Sequence, residues 1–165
     1  MLPAFAPDGA LNVFIESPKG ATAKWKYDNG VIRLQRPLPA GFAYPYDWGF
    51  VTGTRAADGD PLDAVVYWSG VSYPGVIIRA RPIGVLRVEQ ANTITRARER
   101  NDRLVTVPVG DPTATIGDVF ELPERVRREI EHFFATVVAF EDKDLVLHGW
   151  GTAADAMATV AQSVT

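Results

Sequence analysis

The densest concentration of chemistry-bearing side chains is DGDPLDA, residues 58–64, in which Asp58, Asp60 and Asp63 fall within six positions. Carboxylates this close repel one another unless positive charge sits among them. In an extended chain residues two apart share a face, which would bring Asp58 and Asp60 together. Gly59 and Pro61 argue against a regular strand there and for a shaped loop that enters the apolar run LDAVVYW. An all-oxygen donor set suits hard divalent cations such as Mg2+ or Mn2+. Asp, Gly and Pro are also the residues of an ordinary exposed turn, so an acidic turn without ligands has the same composition. A calcium loop of the EF-hand type requires Gly at its sixth position and Glu at its twelfth. Counted from Asp58 those positions hold Asp63 and Ser69, and the pattern fails.

Elements that must position these carboxylates are legible around them. LNVFIE (11–16), AKWKYD (23–28), VIRLQR (31–36), DAVVYW (63–68), GVIIRARPIGVLRVE (75–89, interrupted by Pro82) and RLVTVPV (103–109) read as strands. Asn29-Gly30 joins the second and third as a tight hairpin, because both residues tolerate positive φ. The polar stretch 90–102 reads as a loop. Over 122–140, Val126, Ile130, Phe133, Phe134 and Val137 recur at helical spacing on one face. Pro123 stands near the start of that helix, where a missing N–H costs little. Residues 144–150 read as a short strand and 152–164 as a last helix, with Thr152 and Asp155 placed as a capping box. Strands first and helices last predict an α+β chain, a small antiparallel sheet or barrel carrying helices.

Composition bounds the function. A chain of 165 residues suits one domain with one sizeable core. With 47% hydrophobic and 22% charged residues it has the balance of an ordinary soluble globular protein. A net charge of -3 gives no reason to expect nucleic-acid or membrane-surface binding. The absence of cysteine removes disulfides and thiolate metal sites, and two histidines, His132 and His148, argue against a His-rich zinc site. No apolar run approaches the ~20 residues of a membrane span. The N-terminus shows no charged-then-apolar leader pattern, so the cytoplasm is the expected location.

The acidic loop has neighbours that narrow its reading. ESPKGATAKWKYD and RPLPAGFAYPYDWGF precede it, and PGVIIRARPIGVLRV follows. In order and spacing these blocks resemble the soluble family I inorganic pyrophosphatases, from about Asn12 to Trp150. The resemblance implies a five-stranded OB-like barrel flanked by helices, hydrolysis of inorganic pyrophosphate to two phosphates, a need for Mg2+ with Mn2+ as a substitute, and a homo-oligomer, usually a hexamer in bacteria. It implies metal ligation by Asp58, Asp60 and Asp63, with Asp60 also helping to deprotonate the attacking water, and a water-mediated metal contact from Glu16. Lys24, Arg36 and Tyr44 match phosphate binders. The physics is coherent, since a substrate with up to four negative charges needs metals and cationic side chains between it and the carboxylates.

Several positions depart from the family pattern. Lys24-Trp25-Lys26 stands where the family has Lys-Tyr-Glu, and Trp48 replaces a hydrogen-bonding tyrosine. An ungapped reading puts Gln90 at one metal-binding aspartate, with Glu89, one residue before, as the acidic candidate. Asn101 takes another acidic position, with Asp102 adjacent, and Arg103 takes that of a lysine. Val137 and Val138 stand where the family's helix carries a phosphate-holding Tyr-Lys pair, and Lys143 lies further on. The segment 91–102 is longer than the family's turn and carries Arg96, Arg98 and Arg100. These arginines, with Arg103, are the sequence's candidates for replacing the missing cations. The departures leave two alternative readings open, a weakly active or non-catalytic paralogue that binds phosphate compounds and a phosphohydrolase of altered substrate.

Overall fold

The computed structural model describes residues 1–165. Its strands are β1 (Leu11–Ser17), β2 (Ala23–Asp28), β3 (Val31–Pro37), β4 (Asp47–Val51), β5 (Asp63–Val66), β6 (Ile77–Ala91), β7 (Arg98–Arg100), β8 (Arg103–Pro108) and β9 (Val146–Gly151), and its helices α1 (Glu124–Val138) and α2 (Ala153–Ser163). Strands β1, β4, β5, β8 and β6 pair in that order, and β6 pairs back onto β1. Five strands thus close on themselves, which removes open edges from the ring. Only β5 and β8 run parallel. β9 and β7 extend the sheet from β6, and β2–β3 stands apart as a hairpin. This is the α+β, OB-like five-stranded barrel with flanking helices that the resemblance implies.

Successive side chains of a strand point to opposite faces, and here both faces are buried. Ala64, Val66, Val85 and Leu104 pack with Ala156 and Val160 of α2. Their neighbours Val65, Leu86 and Val105 pack with Ile130, Phe133, Phe134, Val137 and Val138 of α1. Each fully buried aliphatic side chain contributes about 1.5–3 kcal/mol relative to exposure, so the barrel is held from two sides. The helical face predicted from spacing is the buried face of α1. The Thr152–Asp155 capping box is present at the start of α2. Asn29 and Gly30, with φ of 49° and 87°, make the expected tight turn.

Two expectations are corrected and one strand is added. β6 runs unbroken from Ile77 to Ala91, because Pro82, which has no N–H to give the ladder, sits where the register with β8 shifts. β4 was not anticipated, since DWGFV is buried at every position and shows no alternation. The stretch read as a loop over 90–102 is a hairpin, in which β7 pairs with Glu89–Ala91 of β6.

One irregularity matters for the site. β1 pairs Ile15 with Gly49 and Ser17 with Trp48, so Glu16 is the extra residue of a β-bulge. The close crossing requires Gly49, because a Cβ there would lie 1.8 Å from the Phe14 carbonyl oxygen. A bulge re-aims a side chain, and here it turns Glu16 toward the cavity described next.

Candidate active site

Glu16, Asp58, Asp60 and Asp63 line one cavity of about 320 Å³, together with Lys24 and Lys26 of β2. The acidic loop is shaped by its own backbone. Ala56 N–H donates to the Asp60 carbonyl at 2.7 Å and Gly59 N–H to the Ala56 carbonyl at 3.0 Å. Gly59 takes φ +89°, a conformation that favours glycine. Asp60 N–H donates to Asp58 Oδ1 at 3.1 Å, and Asp63 opens β5. The loop therefore fans three carboxylates toward the cavity instead of stacking them on one face of a strand.

Electrostatics mark this wall as a place where positive charge is stabilising. Burial pushes the Asp63 carboxyl up to about 6, against Arg103 and Lys24, which lower it, while Asp58 and Asp60 raise it further. Burial pushes Glu16 up to about 7, against a hydrogen bond from Tyr27 N–H at 2.6 Å, and Asp63 adds to the rise. Burial also raises Asp58. Lys26 Nζ lies 3.2 Å from Asp60 Oδ2. No three of these acids converge as a closed cage for a cation. Mg2+ does not need one, since it keeps several waters and takes one or two carboxylates together with substrate phosphate. The donor set, all oxygen and partly desolvated, fits a hydrated divalent cation.

A second, smaller cavity of about 40 Å³ shares Lys24, Asp63 and Asn101 with the first and adds Arg36, Tyr44 and Arg103. Lys24 lies in β2 and Arg36 in β3, directly paired across the hairpin. Arg36 Nε donates to Glu141 Oε1 at 2.7 Å. Tyr44 is buried against the rings of Trp48 and Phe133, and burial raises its hydroxyl above its ordinary value. Arg103 is 5% exposed and stacks its guanidinium 4.0 Å from the Phe134 ring centre. Its Nε and Nη1 have no hydrogen-bond partner. A buried guanidinium with free donors is costly unless an anion arrives to meet it.

The structure gathers most of the sequence's candidates and separates others. Asp58, Asp60, Asp63, Glu16, Lys24, Arg36, Tyr44 and Arg103 all line the joined cavities. Glu89 does not. It pairs with Arg98 at 2.7 Å, while Gln90, one residue on and therefore on the opposite face of β6, lines the cavity with its Oε1 unpartnered. Asn101 lines both cavities, whereas Asp102 is bound to Val88 N–H and Arg100, away from them. Arg96, Arg98 and Arg100 pair with Asp142, with Glu89 and Asp144, and with Asp102 respectively, so of the four arginines Arg103 alone faces the cavity. Sequence reasoning missed Glu141, the first of three acids in the turn beyond the end of α1, where no periodicity separates the inward one from the outward ones. His132 is exposed on α1, and His148 lies 3.8 Å from Glu89.

The family profile of inorganic pyrophosphatases matches residues 13–165. An inorganic pyrophosphatase of Sulfolobus acidocaldarius is 38% identical over 158 residues, covering 92% of this chain and 87% of that protein. One from Leifsonia xyli subsp. xyli is 40% identical over 151 residues, covering 89% of each. The crystal structure of inorganic pyrophosphatase from Thermus thermophilus superposes with a TM-score of 0.88 at 33% identity, covering 97% of this chain and 92% of that one. The match runs through every strand of the barrel and both helices, and by it the chain belongs to the inorganic pyrophosphatase family.

Proposed function

We propose that this chain hydrolyses inorganic pyrophosphate to two phosphates in a divalent-metal-dependent reaction. The observation that carries the reading is the meeting of two walls in adjoining cavities, carboxylates on one and cations on the other, among them Arg103 with two unpartnered nitrogens. Asp58, Asp60, Asp63 and Glu16 would hold the metal. When bound, it offsets the charge between the acids and the substrate and lowers the pKa of a water toward neutrality.

The chain's own residues do the rest. Lys24, Arg36, Arg103 and the Tyr44 hydroxyl donate to the outer phosphate oxygens, and the planar fork of an arginine can meet two of them at once. Asp60 accepts the proton of the attacking water. The water oxygen bonds to one phosphorus, the bridging P–O bond breaks in line, and the second phosphate leaves with the bridging oxygen. Little further covalent chemistry is required, so positioning and charge neutralisation supply the catalysis. Magnesium, with manganese as substitute, a homo-oligomeric assembly and a cytoplasmic location are proposed on the family resemblance. No helix is long and apolar enough to cross a membrane.

The test is phosphate release from magnesium pyrophosphate by the purified protein, with Asp60→Asn as the control against contaminating enzyme and ATP as the control for substrate range. Release is expected from wild type and should fall on the order of 10²–10³-fold in the variant. Equal release from both, or none from either with magnesium or manganese, overturns the reading.

A further inference from the structure

The end of α1 offers the cavity no cation, because Val137 and Val138 are both buried there. Past the helix the chain turns, and over Glu141–Asp144 exposure alternates. The side chains of Glu141 and Lys143 are 14% and 25% exposed, while those of Asp142 and Asp144 are 89% and 75% exposed. Both aspartates take positive φ, 53° and 44°, a conformation that Asp tolerates better than most residues. The alternation turns Lys143 inward, where it lines both cavities.

The two outward aspartates are gripped by the β6–β7 hairpin. Arg96 Nη1 donates to the carbonyl of Asp142 at 2.8 Å and to its carboxylate at 3.2 Å. Arg98 Nη1 donates to the carbonyl of Asp144 at 2.9 Å and to its carboxylate at 3.0 Å. Between them Ala91 N–H donates to the Lys143 carbonyl at 2.6 Å. One exposed ion pair is worth little. Bonds to three consecutive residues, including all three of their carbonyls, fix the segment's path and with it the direction of Lys143.

We propose that Lys143 binds the phosphate oxygens of substrate and product, and that Arg96 and Arg98 are positioning residues that aim it by holding Asp142 and Asp144. The proposal deepens the pyrophosphatase reading and rests on it. Glu141 is the natural competitor for this cation. Its carboxylate lies 3.6 Å from Lys143 Nζ and 2.7 Å from Arg36 Nε, and its Oε2 has no hydrogen-bond partner. It holds the inward cations together in the phosphate-free protein, and a phosphate of higher charge draws them away. The β6–β7 hairpin, the Asp-Lys-Asp turn and the two valines of α1 then form one arrangement. The cation comes from the turn, and the hairpin keeps it there.

The experiment pairs calorimetric titration of inorganic phosphate, in magnesium, with steady-state kinetics on magnesium pyrophosphate. Lys143→Ala is expected to weaken phosphate binding and raise KM about ten- to a hundred-fold, the loss of one charge-assisted contact. Lys143→Arg should retain most of the affinity, and melting temperatures should show that both variants fold. Arg96→Ala/Arg98→Ala is expected to reproduce part of the loss and to add nothing in the Lys143→Ala background. Wild-type phosphate affinity in Lys143→Ala, or a wild type that binds no phosphate, overturns the assignment of Lys143. An equal further loss when the arginine changes are added to Lys143→Ala overturns their positioning role. A wild type that binds phosphate through Lys143 without hydrolysing pyrophosphate sinks the functional reading and leaves this one standing.

Discussion

The two walls of the cavity are built in opposite ways. The carboxylate wall comes from one short loop, with Glu16 added by a bulge of the adjoining strand. The cation wall is gathered from β2, β3, β8 and the turn after α1. Carboxylates have short arms, so acids that must share one cation have to be spaced by the covalent chain itself. Lysine and arginine reach several ångströms from their backbone, so a cation can be supplied to the same point from different elements. The acidic wall is therefore written locally and admits few alternatives. The cation wall can draw on separate elements, as Lys24 of β2, Arg36 of β3 and the inward Lys143 illustrate.

Changing the acidic wall should have the largest effect. Asp63→Asn is expected to lower turnover on the order of 10²–10³-fold, the cost of a positioned charge at such a site. It should also alter stability with a definite sign. The folded value of Asp63, about 6, lies above the ~3.9 of the unfolded chain. Its contribution is fully present below the unfolded value and is lost as pH rises through the folded one. Glu16, raised to about 7, acts in the same direction over a slightly higher window. Metal-free wild type should accordingly lose melting temperature between pH 4 and pH 7, and Asp63→Asn should lose less. Magnesium should restore wild type at pH 7.5 more than it does the variant, because it binds the folded site. Calorimetric scans that are flat for metal-free wild type, or parallel for the two proteins, would contradict the idea that these acids are held in strain for a cation.

On the other wall the sharpest break is at Arg103. Its guanidinium is buried with two nitrogens unpartnered, and it packs against Phe134 and Trp48. Arg103→Met keeps much of the apolar contact and removes the buried charge. No carboxylate lies within ion-pairing distance of Arg103, so the exchange removes an uncompensated buried charge whose burial is unfavourable. A gain on the order of 1 kcal/mol is expected, read as a rise of about 2–4 °C in melting temperature. KM for pyrophosphate should rise at least ten-fold in the same variant. Stability and function should thus move in opposite directions at Arg103, as expected of a group kept for a ligand. A fall in melting temperature would show that the stacking and the nearby Asp63 offset the burial without help from substrate.

The same contrast explains what the sequence disclosed. The Asn29-Gly30 turn and the face of α1 were legible from local spacing, whereas the loop at 58–64, whose spacing fits an exposed acidic turn equally well, was legible only with the sequence blocks on either side of it. β4 was hidden because its five residues are all buried, with Asp47 satisfied by Trp68 Nε1 at 2.9 Å and Lys19 N–H at 2.8 Å. β7 was hidden because alternating arginines read as a solvated loop, and only the length of β6 beyond the barrel gives them a partner strand. The choice between Glu89 and Gln90 turned on a single residue of register, and one step along a strand reverses the face. Glu141 and the direction of Lys143 depend on contacts between the hairpin and a turn some forty residues away, which no local pattern carries.

The smallest expected effect lies where the two walls touch. Burial pulls Lys26 down, but the Asp60 carboxylate 3.2 Å away outweighs it and leaves the ammonium raised. The pair is largely exposed, so its loss should change melting temperature by no more than a degree or two. The consequence for metal binding runs the other way. Any cation that uses Asp60 must displace Lys26 or share the carboxylate with it, so Lys26→Ala should tighten magnesium binding a few-fold in metal titrations of the otherwise intact protein. Turnover should be altered less than at Asp63 or Arg103, since Asp60 keeps its place in the loop through its own backbone bonds. If Lys26→Ala instead weakens magnesium binding, the lysine organises the acidic loop and does not compete for it, and the boundary between the walls must be redrawn to place Lys26 with the acids.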